Sequence, residues 1–310
     1  MLAFFICTLL YLSQYFIEMN ILILSRNPAL YSTQSLVRAG ASRGHFIQVY
    51  DHFYCDFYIE SGNMKIFHNG YQVNGIHAII PRIGASVTDL GSLLIRQFES
   101  MGIYSSLSSD SLLKARNKLS ALQILAASGI PVPKTISTGY SEDLGGFLSL
   151  IDDYPLIIKL VNSTHGIGVV KAATRTDAVA IMEAFIQMKG RALAQEFIRE
   201  SEGIDIRSFV VGNKVVASME RRAQEGEFRS NLHRGAEAVS IELTPEEIDI
   251  SLQSAKALGL NIAGVDLLRS KHGPVVIEVN ASPGLEGIEG ATGVDVAMEI
   301  IKFVEKQVKE

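Results

Sequence analysis

Short apolar blocks and longer amphipathic ones alternate along this chain, and their periods predict the elements. Residues 21–24, 46–50 and 78–81 are brief runs rich in β-branched and aromatic side chains, the pattern of strands. Residues 31–43 repeat at helical spacing. Strand, helix, strand in that order predicts an open α/β domain over residues 19–109. The turn after its first strand, residues 25–31, lacks Gly-x-Gly-x-x-Gly, so a dinucleotide site is not supported. Residues 110–128 predict one amphipathic helix, with Asp110 or Ser111 as cap and Gly129 just beyond. Strands are expected at 155–161, 169–172, 193–198 and 206–211, and a helix at 176–188. Thr244-Pro245-Glu246-Glu247 is a capping box with proline at the first helical position, so a helix runs from it to Leu258 and stops at Gly259. A closing helix covers 294–308. The chain thus divides into 19–109, a central α+β part at 110–192 and a C-terminal α+β part at 193–310.

Near the end, residues 262–268 and 275–279 read as two strands joined by a turn with Gly273-Pro274. Alternation along the second strand puts Glu278 and Asn280 on one face. With the hairpin centred near His272, Asp266 and Glu278 stand opposite each other. Facing carboxylates lie about 5 Å apart and repel. A divalent cation offsets that repulsion, and two carboxylates with an amide oxygen are hard ligands that suit Mg2+ or Mn2+. The alternative is a surface hairpin in a slipped register with two unrelated acids. The apolar residues flanking both acids favour the metal, since acids inside hydrophobic strands are rarely left unpaired.

Composition narrows the class. A chain of 310 residues accommodates two or three packed subdomains, and 47% hydrophobic with 20% charged residues is globular and soluble in type. A net charge of -5 argues against general nucleic-acid binding and leaves room for a local basic pocket. The two cysteines, Cys7 and Cys55, form no Cys-x-x-Cys, which supports neither a zinc site nor a disulfide framework and points to a reducing cytoplasm. Residues 1–18 are an apolar leader with no basic n-region or cleavage site, short for a membrane span and interrupted by Ser13 and Gln14. Met19 is therefore read as the natural start and the leader as an upstream mis-start. A membrane-associated leader is the alternative.

Several further segments carry candidate chemistry. Lys159 sits within the apolar run 156–160, either as a phosphate ligand or as an edge-strand lysine reaching out to water. The loop after it contains Gly166 and Gly168 among small polar residues, and such backbone can turn its N–H groups toward an anion. Glu196 and Phe197 end a strand and offer an acceptor and backbone groups to an adenine edge, if they are more than an ordinary strand end. Asp205 and Arg207 share a polar face; Asp205 either accepts from ribose hydroxyls or forms a plain ion pair. Arg221, Arg222, Arg229 and Arg234 crowd into fourteen residues, as a solvated basic loop or a pocket for carboxylates and phosphate.

These pieces follow the order of the ATP-grasp superfamily. Residues 79–84 (Ile-Ile-Pro-Arg-Ile-Gly), 165–170, 220–223, 228–235 and 278–287 together closely resemble the RimK family of glutamate ligases, from Met19 nearly to the C-terminus. The resemblance implies an ATP-grasp fold: a Rossmann-like pre-ATP-grasp domain followed by two α+β subdomains that clamp ATP. It matches the family's nucleotide lysine to Lys159 and the helix lysine near the phosphates to Lys118. Its adenine-hinge residues match Glu196 and Phe197, its ribose acid Asp205, and its phosphate-proximal segment Arg229, Ser230 and Asn231. Its two-metal ligands match Asp266, Glu278 and Asn280. Phe197 stands where a tyrosine is often found, His165 occupies a lid position often held by another polar residue, and the leader has no counterpart.

What the resemblance implies chemically is ATP-dependent amide formation. An acceptor carboxylate attacks the γ-phosphorus to give an acyl phosphate, which the amine of L-glutamate then opens. Mg2+ or Mn2+, two ions, would neutralise the phosphates; Lys159 and Arg229 would stabilise transferring charge; Arg221 and Arg222 would grip substrate carboxylates. The implied acceptor is the C-terminus of a small-subunit ribosomal protein, and the implied assembly a homo-oligomer. Alternatives are a small metabolite, a cofactor or free glutamate as acceptor, and a non-catalytic ATP-bound regulator. The regulator predicts missing ligands, and none is missing here.

Overall fold

The computed structural model describes residues 18–140, 142–151, 153–161, 168–188, 190–230, 232 and 235–309. Of the apolar leader, residues 1–17 lie outside the described part, as do Gly166 and Asn231 of the expected site.

The N-terminal domain is built on a parallel sheet. Its strands are β1 (Asn20–Leu24), β2 (Phe46–Tyr50), β6 (Ala78–Pro81) and β7 (Tyr104–Ser105), in the order β2-β1-β6-β7. Helices α1 (Tyr31–Ser42) and α2 (Thr88–Ser100) cover it. Between β2 and β6 the chain inserts an antiparallel meander, β3 (Cys55–Glu60), β4 (Asn63–His68) and β5 (Tyr71–Gln72), which the apolar pattern did not predict. Its strands are half exposed and mix polar with aromatic residues, so no clean period of two was visible.

The single helix expected at 110–128 is two, α3 (Ser109–Arg116) and α4 (Lys118–Ala127). Asn117 between them is extended, at φ -90 and ψ 105, and its Oδ1 accepts from the Ser120 amide at 3.0 Å. Ser108, not Asp110 or Ser111, caps the first helix. The break puts Lys118 at the first position of a new helix.

The central subdomain has the sheet order β10-β9-β11-β8 and two helices on one side. Its elements are β8 (Thr135–Thr138), α5 (Leu144–Leu148), β9 (Leu156–Leu160), β10 (Val169–Ala172), α6 (Arg175–Gln187) and β11 (Ala192–Glu196). β11 pairs with both β8 and β9, so this sheet runs four residues past the expected boundary at 192. The C-terminal subdomain is the antiparallel sheet β14-β13-β12-β15-β16: β12 (Ile204–Val211), β13 (Lys214–Arg222), β14 (Glu237–Ser240), β15 (Ile262–Ser270) and β16 (Gly273–Asn280). Helix α7 (Pro245–Ala257) starts at the expected capping box, with Thr244 and Glu247 bonding each other's backbone amides. Helices α8 (Glu286–Thr292) and α9 (Val296–Lys309) close the chain.

Two large hydrophobic cores each draw on both ends of the chain: Leu22, Ile79 and Phe98 share one with Val265 and Val276, and Ile21 and Leu36 share the other with Phe209 and Ile300. The central subdomain has a core of its own around Ile136, Leu156, Ile158 and Met182.

Candidate active site

One face of the C-terminal sheet is polar, and strand register decides which side chains meet there. Asp205 on β12 faces Arg221 on β13, and Arg207 faces Asp266 on β15. Asp266 in turn faces Glu278 on β16, and Gly264 faces Asn280. The hairpin turn lies half a residue earlier than expected, pairing Ser270 with Gly273, which alone would set Asp266 against Ile277. A bulge at Ile277 shifts the register by one, brings Glu278 opposite Asp266 and leaves Val276 and Val279 in the core.

The buried acids are braced by arginines. Arg207 grips Asp266 with two bonds of 2.7 and 2.6 Å, and Arg221 reaches the same carboxylate at 3.1 Å. Arg221 also holds both oxygens of Asp205, at 2.5 and 2.7 Å. Burial pushes the Asp266 carboxyl up, but Arg207 and Arg221 outweigh it and leave the group below its ordinary value. For Asp205 burial dominates and raises it despite Arg221. Burial lowers Arg221, and Asp266 with Asp205 more than offset that, so its charge is locked. Glu278 is different: 40% exposed, with Lys118 3.4 Å away, it is the open acid of the face.

Lysines approach from two other elements. Lys118, projected by the break at Asn117, reaches Glu278. Lys159 lies on β9 between β10 and β11, so it is no edge-strand lysine, and burial pushes its ammonium down to about 8 while Glu278 and Asp266 pull it back. Arg229 is held by Glu227 through bonds of 2.9 and 2.7 Å and touches the Val169 carbonyl of β10 at 3.4 Å. Side-chain bonding from Arg229 leads the causes that hold Glu227 near 2.

Comparisons with known proteins place the chain in a family. Residues 115–304 match the RimK-like ATP-grasp domain, and residues 19–112 match the RimK PreATP-grasp domain. The chain belongs to the RimK-like ATP-grasp family. A probable alpha-L-glutamate ligase 1 of Hahella chejuensis is 51% identical over 94% of this chain and 96% of its own length. A probable alpha-L-glutamate ligase of Trichodesmium erythraeum is 50% identical over 93% and 96%. Among solved structures, the ATP-grasp ligase PsnB complexed with minimal precursor, Mg and ADP superposes with a TM-score of 0.73 at 20% identity, covering 93% of this chain and 97% of that one. D-alanine–D-alanine ligase from Bacillus anthracis complexed with ATP gives 0.66 at 20% identity, covering 94% and 99%. At that identity the likeness is one of fold.

Within the RimK-like frame the expected residues fall into three groups. Asp266, Glu278 and Asn280 share the face with Lys118, and Asn280 Nδ2 lies 3.4 Å from an Asp266 oxygen. Their donor set fits a hard divalent ion: two carboxylates, one of them open, and an amide. Gly168, Glu196 and Phe197 lie at the ends of central-subdomain strands, and Arg229 and Ser230 in the segment after β13. Gly168 needs its left-handed backbone (φ +68). Glu196 accepts from the Lys134 amide at 2.9 Å, and the Lys171 ammonium sits 4.5 Å over the Phe197 ring.

The third group is engaged within the protein. Asp205, the expected ribose acid, is held by Arg221 at both oxygens and accepts from Ser230 as well. Arg221 is engaged in the interior by two protein carboxylates, Asp205 and Asp266, through its Nε and Nη2. Arg222 points to the other face of β13 and bonds Glu220 at 2.6 Å. Arg207, which clamps Asp266, was seen in the sequence only as a neighbour of Asp205; its signal was the two-residue spacing on one strand face. Arg82 and Arg116 also reach this region and had no charge pattern to mark them.

Proposed function

We propose that this chain is an ADP-forming α-L-glutamate ligase whose acceptor is a protein carboxylate, the C-terminus of a small-subunit ribosomal protein. The observation that carries the reading is the cross-strand pair Asp266–Glu278 with Asn280 beside it and Lys118 and Lys159 converging on it, in a chain half identical to proteins named glutamate ligases. A peptide acceptor is supported by the fold relatives seen with precursor peptides, PsnB and the macrocyclase MdnC.

A carboxylate is a poor acyl donor, so its oxygen attacks the γ-phosphorus of ATP, ADP leaves, and an acyl phosphate results. The amine of glutamate attacks that carbonyl, phosphate departs, the nitrogen loses a proton, and an amide remains. Asp266, Glu278 and Asn280 would hold Mg2+ with ATP, which supplies charge neutralisation for the β- and γ-phosphates. Lys118 and Lys159 add fixed positive charge beside the transferring group, in a partly buried setting where it counts for more than in water. Arg207 and Arg221 keep Asp266 ionised and aimed. Gly168 and β10, tied by Arg229 to the C-terminal subdomain, close over the nucleotide and exclude the water that would hydrolyse the acyl phosphate.

The test is intact mass of 30S-subunit proteins after incubation with the enzyme, ATP, Mg2+ and glutamate, with ADP release scored without acceptor. Glutamate increments on one ribosomal protein are expected. ADP release and glutamate polymers without acceptor would replace the ribosomal protein by free glutamate or a small metabolite; no ADP under any condition would overturn the ligase. Glu278→Gln should lower turnover by about 10²-fold or more with the melting temperature unchanged, and wild-type-like activity would remove Glu278 from the metal set.

A further inference from the structure

Two arginines at the seam between the N-terminal domain and the β15–β16 hairpin have no carboxylate of their own among the described residues. Arg82, directly after β6, donates from Nη2 to the Pro283 carbonyl at 2.6 Å. Arg116, the last residue of α3, donates from Nη2 to the Ile83 carbonyl at 2.6 Å. Both partners are neutral. The Nε of Arg116 and the hydroxyl of Ser282 are buried with no hydrogen-bond partner among the described residues. Unsatisfied buried donors are rare, and each costs free energy unless a ligand takes it. Here one is on Arg116, bonded to the residue after Arg82, and the other is on the residue before Pro283, to which Arg82 bonds.

The charge balance points the same way. Burial, and after it the nearby Arg116 guanidinium, pushes Arg82 down to about 10. Burial also lowers Arg116, and the acid that pulls it back is Glu278. Glu278 already faces Lys118 and attracts Lys159. One open carboxylate therefore serves three cations, Lys118, Lys159 and Arg116, and Arg82 has none, while Asp205 and Asp266 are gripped by Arg221 and by Arg207 with Arg221. The location is the reaction centre: a Cβ on Gly264 would meet Pro283 at 2.8 Å and the Arg207 Nε at 3.6 Å, so the 282–284 loop lies over the acid face.

We propose that Arg82, Arg116 and the Ser282 hydroxyl form a carboxylate-binding subsite, and that it holds a carboxylate of the incoming amino acid. The second half rests on the ligase reading above. Planar guanidinium forks match carboxylates in a way the lysines do not, which separates this pair from the phosphate side. The acceptor's reacting carboxylate must stay free to attack phosphorus, and a clamp of two guanidiniums would blunt it. A clamp suits a carboxylate that does not react, and the incoming dicarboxylic amino acid brings two.

The test is calorimetric titration of the full chain, loaded with Mg2+ and the non-hydrolysable ATP analogue AMPPNP. Its ligands are L-glutamate, L-glutamine and a pentapeptide ending in glutamate. Arg82→Gln and Arg116→Gln should each weaken glutamate about tenfold or more, Arg82→Lys should fall between, and AMPPNP affinity should stay within about twofold of wild type. Should Arg116→Gln fail to fold, Arg82→Gln carries the test alone. Unchanged glutamate affinity in folded Arg82→Gln overturns the subsite. So does a parallel loss of AMPPNP, which would give the arginines to the phosphates. Peptide binding lost in the variants, with no glutamate binding in wild type, would assign the subsite to the acceptor and overturn the incoming-amino-acid reading. Binding of neither ligand by wild type overturns both. Glutamate binding that depends on Arg82, without any glutamate-dependent ADP release, would leave the subsite standing and sink the ligase instead.

Discussion

Lys159 shows what a functional side chain costs the fold. It sits in the middle of a sheet rather than at its edge, and burial holds its ammonium near 8, below its value in an unfolded chain. Between about pH 8 and 10.5 the unfolded chain therefore binds more protons than the folded one, and stability rises with pH across that window. Lys159→Met should stabilise the protein at pH 7, on the order of 1 kcal/mol, abolish that rise, and remove ligase activity. Urea unfolding at pH 7 and 9.5 checks it; a variant less stable than wild type at pH 7 would mean the lysine is compensated more fully than its surroundings indicate. Residue type and spacing singled out Lys159, Asp266, Glu278 and Asn280 in the sequence, and only the family resemblance singled out Lys118. The tasks of Asp205 and Arg221 were not legible, because which carboxylate an arginine grips depends on three strands meeting in register, and that is a tertiary fact.

At the scale of elements, the sequence periods located β1, β2, β6, β9, β12, β15, β16 and helices α1, α6, α7 and α9, but missed α2 and β13 as well as the meander, and they also missed the two irregularities beside the acid face. A helical period runs unbroken through Asn117, so nothing in the apolar pattern announces the break that projects Lys118. The bulge at Ile277 was equally hidden: a hairpin centred near His272 reached the right pairing, but the molecule reaches it with an earlier turn and one extra residue. Gly264 is a third local device. It lies mid-strand, where Asn280 faces it, and the missing side chain is what lets Pro283 close over the polar face. Gly264→Ala should cost about 1–3 kcal/mol and weaken Mg2+–AMPPNP binding, because the 281–284 loop must move away from Arg207. Thermal unfolding and a nucleotide titration read both effects; a variant as stable and as tightly binding as wild type would show that the loop yields without consequence.

The whole molecule divides unevenly. The N-terminal domain and the C-terminal subdomain are welded: they share both large cores, and Arg43 and His45 from the end of α1 and the residues after it both bond Glu305 on α9. Residues 135–196 of the central subdomain have a core of their own, helices α3 and α4 join the shared core through Leu112, Ala121 and Leu125, and a small cluster of Leu122, Val161 and Leu193 links the two. Contacts that few cannot hold a subdomain rigidly against solvent-driven opening. Lys159, Gly168 and Phe197 belong to this part or its edge, while the acids belong to the welded part, so the proposed site draws on both bodies. Amide exchange should therefore run at two rates in the free protein. Residues 135–196 should exchange faster as a unit than β12, β15 and β16, and Mg2+–AMPPNP should slow them selectively, since nucleotide spans the two bodies. The strands of the N-terminal sheet should exchange together with the C-terminal sheet, as one cooperative core requires. Equal protection of all three sheets before nucleotide, with no change after it, would make the central subdomain part of the same rigid body and leave the lid to act through the loop around Gly168 alone.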